Sequence, residues 1–256
     1  MKIDTELTAA DLEKPITRVF ELAAAKVVQL DRSWDISHGA PVFTAAGKYT
    51  TRGWTEWTQG FQYGCALLAF DATGDRNLLE IGRNNTVRHM ARHVSHVGVH
   101  DHGFNNISTY GNLRRLMREK RIPHNAWEMA FYEVALKTSG AVQAARWTSI
   151  VSDGKSHPDC RDAGFIHSFN GAHSLFSDTI RSVRSLVVAW MLGHELAGEN
   201  DRKINLFHRG LQHGLTTAQY NVYYGEGRNI YDVPGERGRV VHESIFNVAD
   251  GRYRCP

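Results

Sequence analysis

Apolar residues recur every three or four positions between residues 11 and 30, where Ile16, Val19, Phe20, Ala23, Val27 and Leu30 share one face of an amphipathic helix. Pro15 falls near its first turn, where a missing N–H costs least. Residues 31–56 read as a Gly-, Thr- and Trp-rich connection, with an extended piece over Val42–Thr51. Helical patterns then follow at 57–73, 76–93, 103–118, 126–138, 141–150, 178–196 and 200–218. Thr73-Gly74-Asp75, Thr138-Ser139-Gly140 and Gly198-Glu199-Asn200-Asp201 punctuate these segments as helix boundaries. Period-two alternation is scarce, and short pieces such as 239–248 fit hairpin strands.

Helices of this length do not bury their apolar faces alone, so the pattern calls for a bundle, solenoid or closed helical ring. No fixed-period repeat emerges. The long connections 151–177 and 219–256 are rich in Gly, Asp, His, Tyr and Arg, and long loops on a rigid scaffold are where chemistry concentrates.

Composition narrows the picture. The chain has 256 residues with 42% hydrophobic and 22% charged, enough for a packed core. Its 30 Lys+Arg and 27 Asp+Glu are interspersed, which argues against nucleic acid or an anionic membrane surface as partner. No run approaches ~18 apolar residues, and the charged start MKIDTELTAADLEKP lacks a secretory h-region. Cys65, Cys160 and Cys255 are odd in number and widely spaced, fitting neither a disulfide framework nor a zinc motif. A reducing cytoplasm is the expected setting.

Two acidic residues stand out. Asp101 lies between His100 and His102 just ahead of a helical pattern, and Asp178 opens another. Each reads equally as a helix cap or as a carboxylate in a pocket. Brought together by folding, they would form the pair that glycosidic chemistry needs. Histidines are numerous, fourteen in all, and His89, His93, His96, His100 and His102 are crowded. Yet no HExxH occurs, and no metal or cofactor is expected. Gly225-Glu226-Gly227 lacks the last glycine of a dinucleotide fingerprint, and Walker A and GxSxG patterns are missing. Trp54, Trp57, Tyr220, Tyr223 and Tyr224 sit beside loops, as sugar-stacking rings or as packing.

In this order the segments are recognisable. Thr55-Glu56-Trp57-Thr58-Gln59-Gly60-Phe61-Gln62-Tyr63-Gly64 resembles the W-T-x-G-F-x-x-G segment of unsaturated glucuronyl hydrolases and unsaturated rhamnogalacturonyl hydrolases. His100-Asp101-His102-Gly103-Phe104 resembles their H-D-x-G-F segment, and residues 164–190 resemble the stretch that carries the family's second aspartate, matched by Asp178. DRKINLFHRGLQHGLTT continues the likeness, which spans roughly residues 50–256.

The resemblance implies an all-α (α/α)6 barrel acting on the 4,5-unsaturated uronic acid that polysaccharide lyases leave on an acidic oligosaccharide. Asp178 is then expected to protonate the double bond and activate water, with Asp101 holding substrate hydroxyls and tuning its partner. Trp57 would stack on the substrate, and His100, His213 and His242 would contact it. Arg161, Arg181 and Arg184 are candidates for the substrate carboxylate. His102 replaces an apolar residue of the family pattern, and residues 219–256 are more elaborate than the family loop, so the substrate is less constrained than the scaffold. A hydrolase of saturated glucuronides, a sugar epimerase and a carbohydrate-binding module stand as alternatives on the same barrel.

An (α/α)6 ring has twelve helices, which at about 11–12 residues each plus connections require well over ~300 positions. The pattern supplies about eight within 256 residues. The expectation is a single partial barrel domain over 1–256, lacking the closing C-terminal helices and open to self-association along its edge.

Overall fold

The computed structural model describes residues 4–51, 57–151 and 163–256. Helix α1 (Ala9–Ser33) opens the chain, its first turn closed by the Asp11 carboxylate, which accepts from the Thr8 N–H and hydroxyl. It starts earlier than the pattern suggested, so Pro15 lies beyond the first turn and the Asp11 carbonyl loses its helical donor. The hairpin β1 (Pro41–Ala45) and β2 (Lys48–Thr51) confirms the expected extended piece.

Helix α2 (Thr58–Thr73) ends on Gly74, whose φ of 76° makes the left-handed cap that glycine adopts without strain. Asp75 caps α3 (Arg76–His89) by accepting from Asn77 N–H at 2.9 Å. The expected 76–93 helix breaks at Met90, and α4 (Ala91–Val94) is a separate turn. The 103–118 pattern begins as a π-helix over Gly103–Gly111 and continues as α5 (Asn112–Arg118).

The largest departure from expectation is α6 (Ala126–Ala145), a single helix across Ser139-Gly140. These small residues do not end a helix; they let another one approach. A Cβ on Gly140 would lie 2.5 Å from Ala189 Cβ and 2.7 Å from the Ser185 carbonyl oxygen. Those partners belong to α8 (Arg184–Met191), which follows the single turn α7 (Thr179–Ser182). Helix α9 (Leu206–Asn221) begins later than the pattern implied, capped by Asn205.

Short strands fill the connections: β3 (Trp147–Ser149), β4 (Gly164–Ile166), β5 (Ser174–Phe176), β6 (Leu196–Ala197), β7 (Lys203–Ile204), β8 (Val222–Tyr223), β9 (Arg239–Val240), β10 (Glu243–Phe246) and β11 (Tyr253–Cys255). The 239–248 stretch does not pair with itself. β10 is the centre of an antiparallel sheet ordered β11-β10-β5, and β9 pairs with β8.

The main core joins Tyr63, Leu67, Leu78, Leu113, Leu116, Tyr132 and Leu136, from α2, α3, α5 and α6. Fully burying a leucine stabilises by about 1.5–3 kcal/mol, so this cluster anchors the helical layer. Ala144, Ile166, Leu186, Ala189 and Leu206 tie α6, α8 and α9 to β4. Phe165, Leu175 and Phe246 form a third cluster beneath the strands. On α1, Val27 and Val28 pack on the core, but Leu12, Ile16, Val19 and Leu22 are exposed. Among the described residues, no helix is long and apolar enough to cross a membrane.

Candidate active site

The segment leading into the π-helix is pinned from several sides. Gln143 Nε2 donates to the His100 carbonyl at 2.9 Å. His102 is fully buried, with Nε2 2.9 Å from the His96 carbonyl oxygen and Nδ1 3.0 Å from the Ser139 hydroxyl. Burial pushes its imidazole down to about 4, so it is a neutral packing element at physiological pH. The motif glycines act by allowing contact. A Cβ on Gly60 would sit 2.3 Å from Asn105 Cα, and one on Gly103 would sit 2.5 Å from Ser182 Cα. Gly103 therefore lets α7 rest directly on the segment that carries Asp101.

Asp178 arrives from the strand side. β5 pairs with β10, and Ser177 N–H donates to the His242 carbonyl at 2.8 Å before the chain turns into α7. The Asp178 carboxylate makes no capping bond to that turn. Instead, His100 Nε2 lies 3.3 Å from Asp178 Oδ1 and 3.8 Å from Asp101 Oδ1. These distances hold the two carboxylate oxygens within about 7 Å of each other, inside the span over which paired carboxylates flank a glycosidic bond. The Asp178 side chain is 32% exposed and that of Asp101 9%, so Asp178 is the more open to a ligand.

Burial pushes the Asp178 carboxyl up, but the hydrogen bond from His100 and the charges of His100, His242 and Arg181 outweigh it. The net displacement is below the ordinary aspartate value. Asp178 is therefore ionised in the free protein at neutral pH.

Aromatic rings frame the pair. Phe169 stacks on His100 at 5.7 Å between centroids and 16° between planes, and Phe176 meets His100 edge-on. His242 lies 4.4 Å from the Phe176 ring centre. On the other flank, exposed Trp57 contacts Phe61 and Phe104, and the Arg181 guanidinium sits 4.6 Å from the Phe104 centroid. Phe169 and Trp57 offer large exposed faces, the surface a pyranose ring stacks on.

Of the residues expected from sequence, Asp101, Asp178, His100, His242 and Arg181 converge, with Trp57 at the rim. His213 does not reach the surface. It is fully buried on α9, where Nδ1 accepts from Ile166 N–H at 3.1 Å and Nε2 faces the Thr217 hydroxyl at 3.4 Å. Burial and the neighbouring His100 push it down to about 3, and its contact is with the backbone of β4. Arg184 lies exposed on α8, and Arg161 falls outside the described residues.

Sequence reasoning missed Phe169, Phe176, Gln143 and Arg146. The Arg146 guanidinium is buried and donates to the carbonyls of Val97, His167 and Ser168. Its only signal was position, a cation closing the apolar helix 126–145, which a surface arginine would match equally.

The crowded histidines serve separate duties. His93 Nε2 meets Gln59 Oε1 at 2.6 Å, and His89 packs near the Tyr63 ring. No group of three or more metal-ligating side chains is arranged to hold an ion among the described residues. A cavity of about 890 Å³ lined by Tyr220, Tyr223, Tyr231 and Tyr253 shares no residue with the carboxylate pair.

Helices packed as successive hairpins, with strands confined to connections, define an incomplete (α/α) ring. No protein-family model and no curated protein matches the chain. Solved structures do. An unsaturated glucuronyl hydrolase specific for heparin superposes with a TM-score of 0.66 at 16% identity, covering 93% of this chain and 53% of that one. The unsaturated glucuronyl hydrolase of Bacillus sp. GL1, responsible for the degradation of glycosaminoglycan, gives 0.63 at 16% identity over 94% and 53%. The enzyme from Streptococcus agalactiae gives 0.59 at 18% identity over 99% and 58%. The chain thus has the six-hairpin glycosidase-like fold expected from its motifs and spans about half the length of these structures.

Proposed function

We propose that this chain is a glycoside hydrolase acting on unsaturated uronyl oligosaccharides, within one partial (α/α) domain whose open edge supports self-association. The observation that carries the reading is the placement of Asp101 and Asp178 on one buried imidazole nitrogen, between exposed aromatic faces.

A 4,5-unsaturated uronide is a vinyl ether. Protonation at C4 by Asp178 leaves positive charge at C5, shared with the ring oxygen. The resulting Asp178 carboxylate takes a proton from water as its oxygen adds to C5. The hydrated sugar opens and releases its neighbour. Asp101 holds substrate hydroxyls, and its negative charge raises proton affinity at Asp178. The substrate's own carboxylate adds to that effect, with Arg181 as the nearest cation of the rim to pair with it. Trp57 and Phe169 give stacking faces, His242 a polar edge, and His213 acts from behind through Ile166.

Asp178 is ionised in the free protein, and the first step needs its proton. kcat/KM is therefore expected to be highest on the acid side and to fall as pH rises. The spacing of the carboxylates also suits a hydrolase of saturated glucuronides, with one group as acid and the other activating water.

The deciding experiment follows absorbance of the conjugated double bond on a panel of lyase-generated disaccharides. Loss of absorbance with the wild type and none with Asp178→Asn supports the proposal. Unsaturated disaccharides left intact while saturated glucuronides are cleaved would transfer the site to the second reading. Interconversion of a free sugar, or saturable binding without turnover, would sink both.

A further inference from the structure

We infer that Arg146 is a positioning residue for this site, fixing the Asp101 segment against the Phe169 turn and presenting a permanent positive charge to Asp101. Its catalytic consequence rests on the function proposed above, but its geometry does not. Arg146 is 7% exposed and makes four hydrogen bonds to three carbonyl oxygens. Val97 precedes Asp101 on one wall, and His167 and Ser168 lead directly into Phe169 on the other. One planar guanidinium thus spans both walls, a geometry that the point charge of a lysine does not reproduce.

Carbonyl oxygens orient the cation without neutralising it. A buried charge is costly unless an opposite charge faces it. Burial lowers the proton affinity of Arg146, and Asp101 is the acidic group that raises it. The same positive charge depresses His96, His102 and His167, alongside their burial, so the surrounding imidazoles are held neutral. The groups facing Asp101 are then His96, His100 and His102 on its own segment, Arg146 at the end of α6, and His167 and Asp178 on the strand side. Against that neutral imidazole background, Arg146 keeps Asp101 ionised and leaves the exchangeable proton to Asp178. The two aspartates differ in role because only one has a fixed cation behind it.

The test is a carboxyl ¹³C NMR titration of Asp101, assigned by its loss in Asp101→Asn, in the wild type, Arg146→Lys and Arg146→Met. The expected result is a midpoint raised by at least one pH unit in Arg146→Met, a tenfold gain in proton affinity, and a midpoint near wild type in Arg146→Lys. The pH profile of kcat/KM shifts with Arg146→Met, whereas Arg146→Lys keeps the profile and loses kcat at every pH. An Asp101 midpoint unmoved in Arg146→Met overturns the inference. If Arg146→Met does not fold, Asp101→Asn carries the test with Arg146 in place. It leaves the cation facing a neutral amide and is expected to lower the urea midpoint at pH 7; an unchanged midpoint overturns the pairing. The titration needs no substrate, so it decides the inference even for a chain that turns over no unsaturated sugar.

Discussion

Asp101 and Asp178 reach the same imidazole from differently built parts of the molecule. Asp101 sits in a helical layer where small residues allow close approach and buried side chains are satisfied locally, as His102 is by His96 and Ser139. Asp178 hangs from a three-residue strand held by β10, next to an aromatic cluster open to solvent. The helical side is rigid and nearly closed, while the strand side is shallow and exposes the reactive carboxylate. A site that must grip a sugar and still move a proton uses both properties, and each can be broken separately.

Removing the carboxylates is the severest test. Asp178→Asn is expected to lower kcat by about 10³-fold or more, and Asp101→Asn by about 10²-fold, with far-ultraviolet circular dichroism unchanged. Equal losses would erase the distinction between exposed donor and buried partner. The next largest effect contrasts two glycines. Gly103→Ala and Gly140→Ala both drive a Cβ into backbone, and each is expected to cost about 1–3 kcal/mol in urea denaturation. Only Gly103→Ala displaces α7 from the Asp101 segment, so only it should also depress kcat.

Acid sensitivity distinguishes the two sides through their histidines. His102 is held at about 4 and His213 at about 3, both below the ordinary value of 6.5. The unfolded chain binds protons that the folded chain refuses, so stability is constant above about 6.5 and falls as pH drops toward 4. Each fully responding histidine contributes about 1.4 kcal/mol per pH unit to that slope. Thermal unfolding across pH should show the slope, and His102→Gln should flatten it. The smallest expected effect is at the rim. Trp57→Ala and Phe169→Ala should each raise KM several-fold, about 1 kcal/mol, with kcat little changed. A larger penalty for Phe169→Ala would mean that its ring also orients His100, on which it stacks.

Much of the helical side was legible in the sequence, and most of the strand side was not. Three- and four-residue spacing located α1, α2 and α3, and the H-D-x-G-F segment marked Asp101. Ser139-Gly140 misled because the same small residues that end helices also admit a neighbouring helix, and only the position of α8 distinguishes the two uses. Strands of two to four residues leave too little alternation to read, and their partners lie far along the chain. Phe169 and Phe176 therefore looked like ordinary apolar residues of a loop. His213 stood out as a histidine on an amphipathic helix, but nothing in the spacing showed that β4 would cover it.

The pairing of β5 with β10 also places the site in time. Ser174 and Glu243, joined by a hydrogen bond, are 69 positions apart, whereas α2 and α3 meet across a single turn at Gly74-Asp75. Local helical contacts form at low closure entropy, and the distant strand contact follows once residue 243 is available. During refolding the cradle for Asp101 takes shape while Asp178 is still untethered. An acidic sugar that needs both carboxylates meets its site only after that last closure, so bound ligand should lengthen the lifetime of the folded chain without hastening its formation.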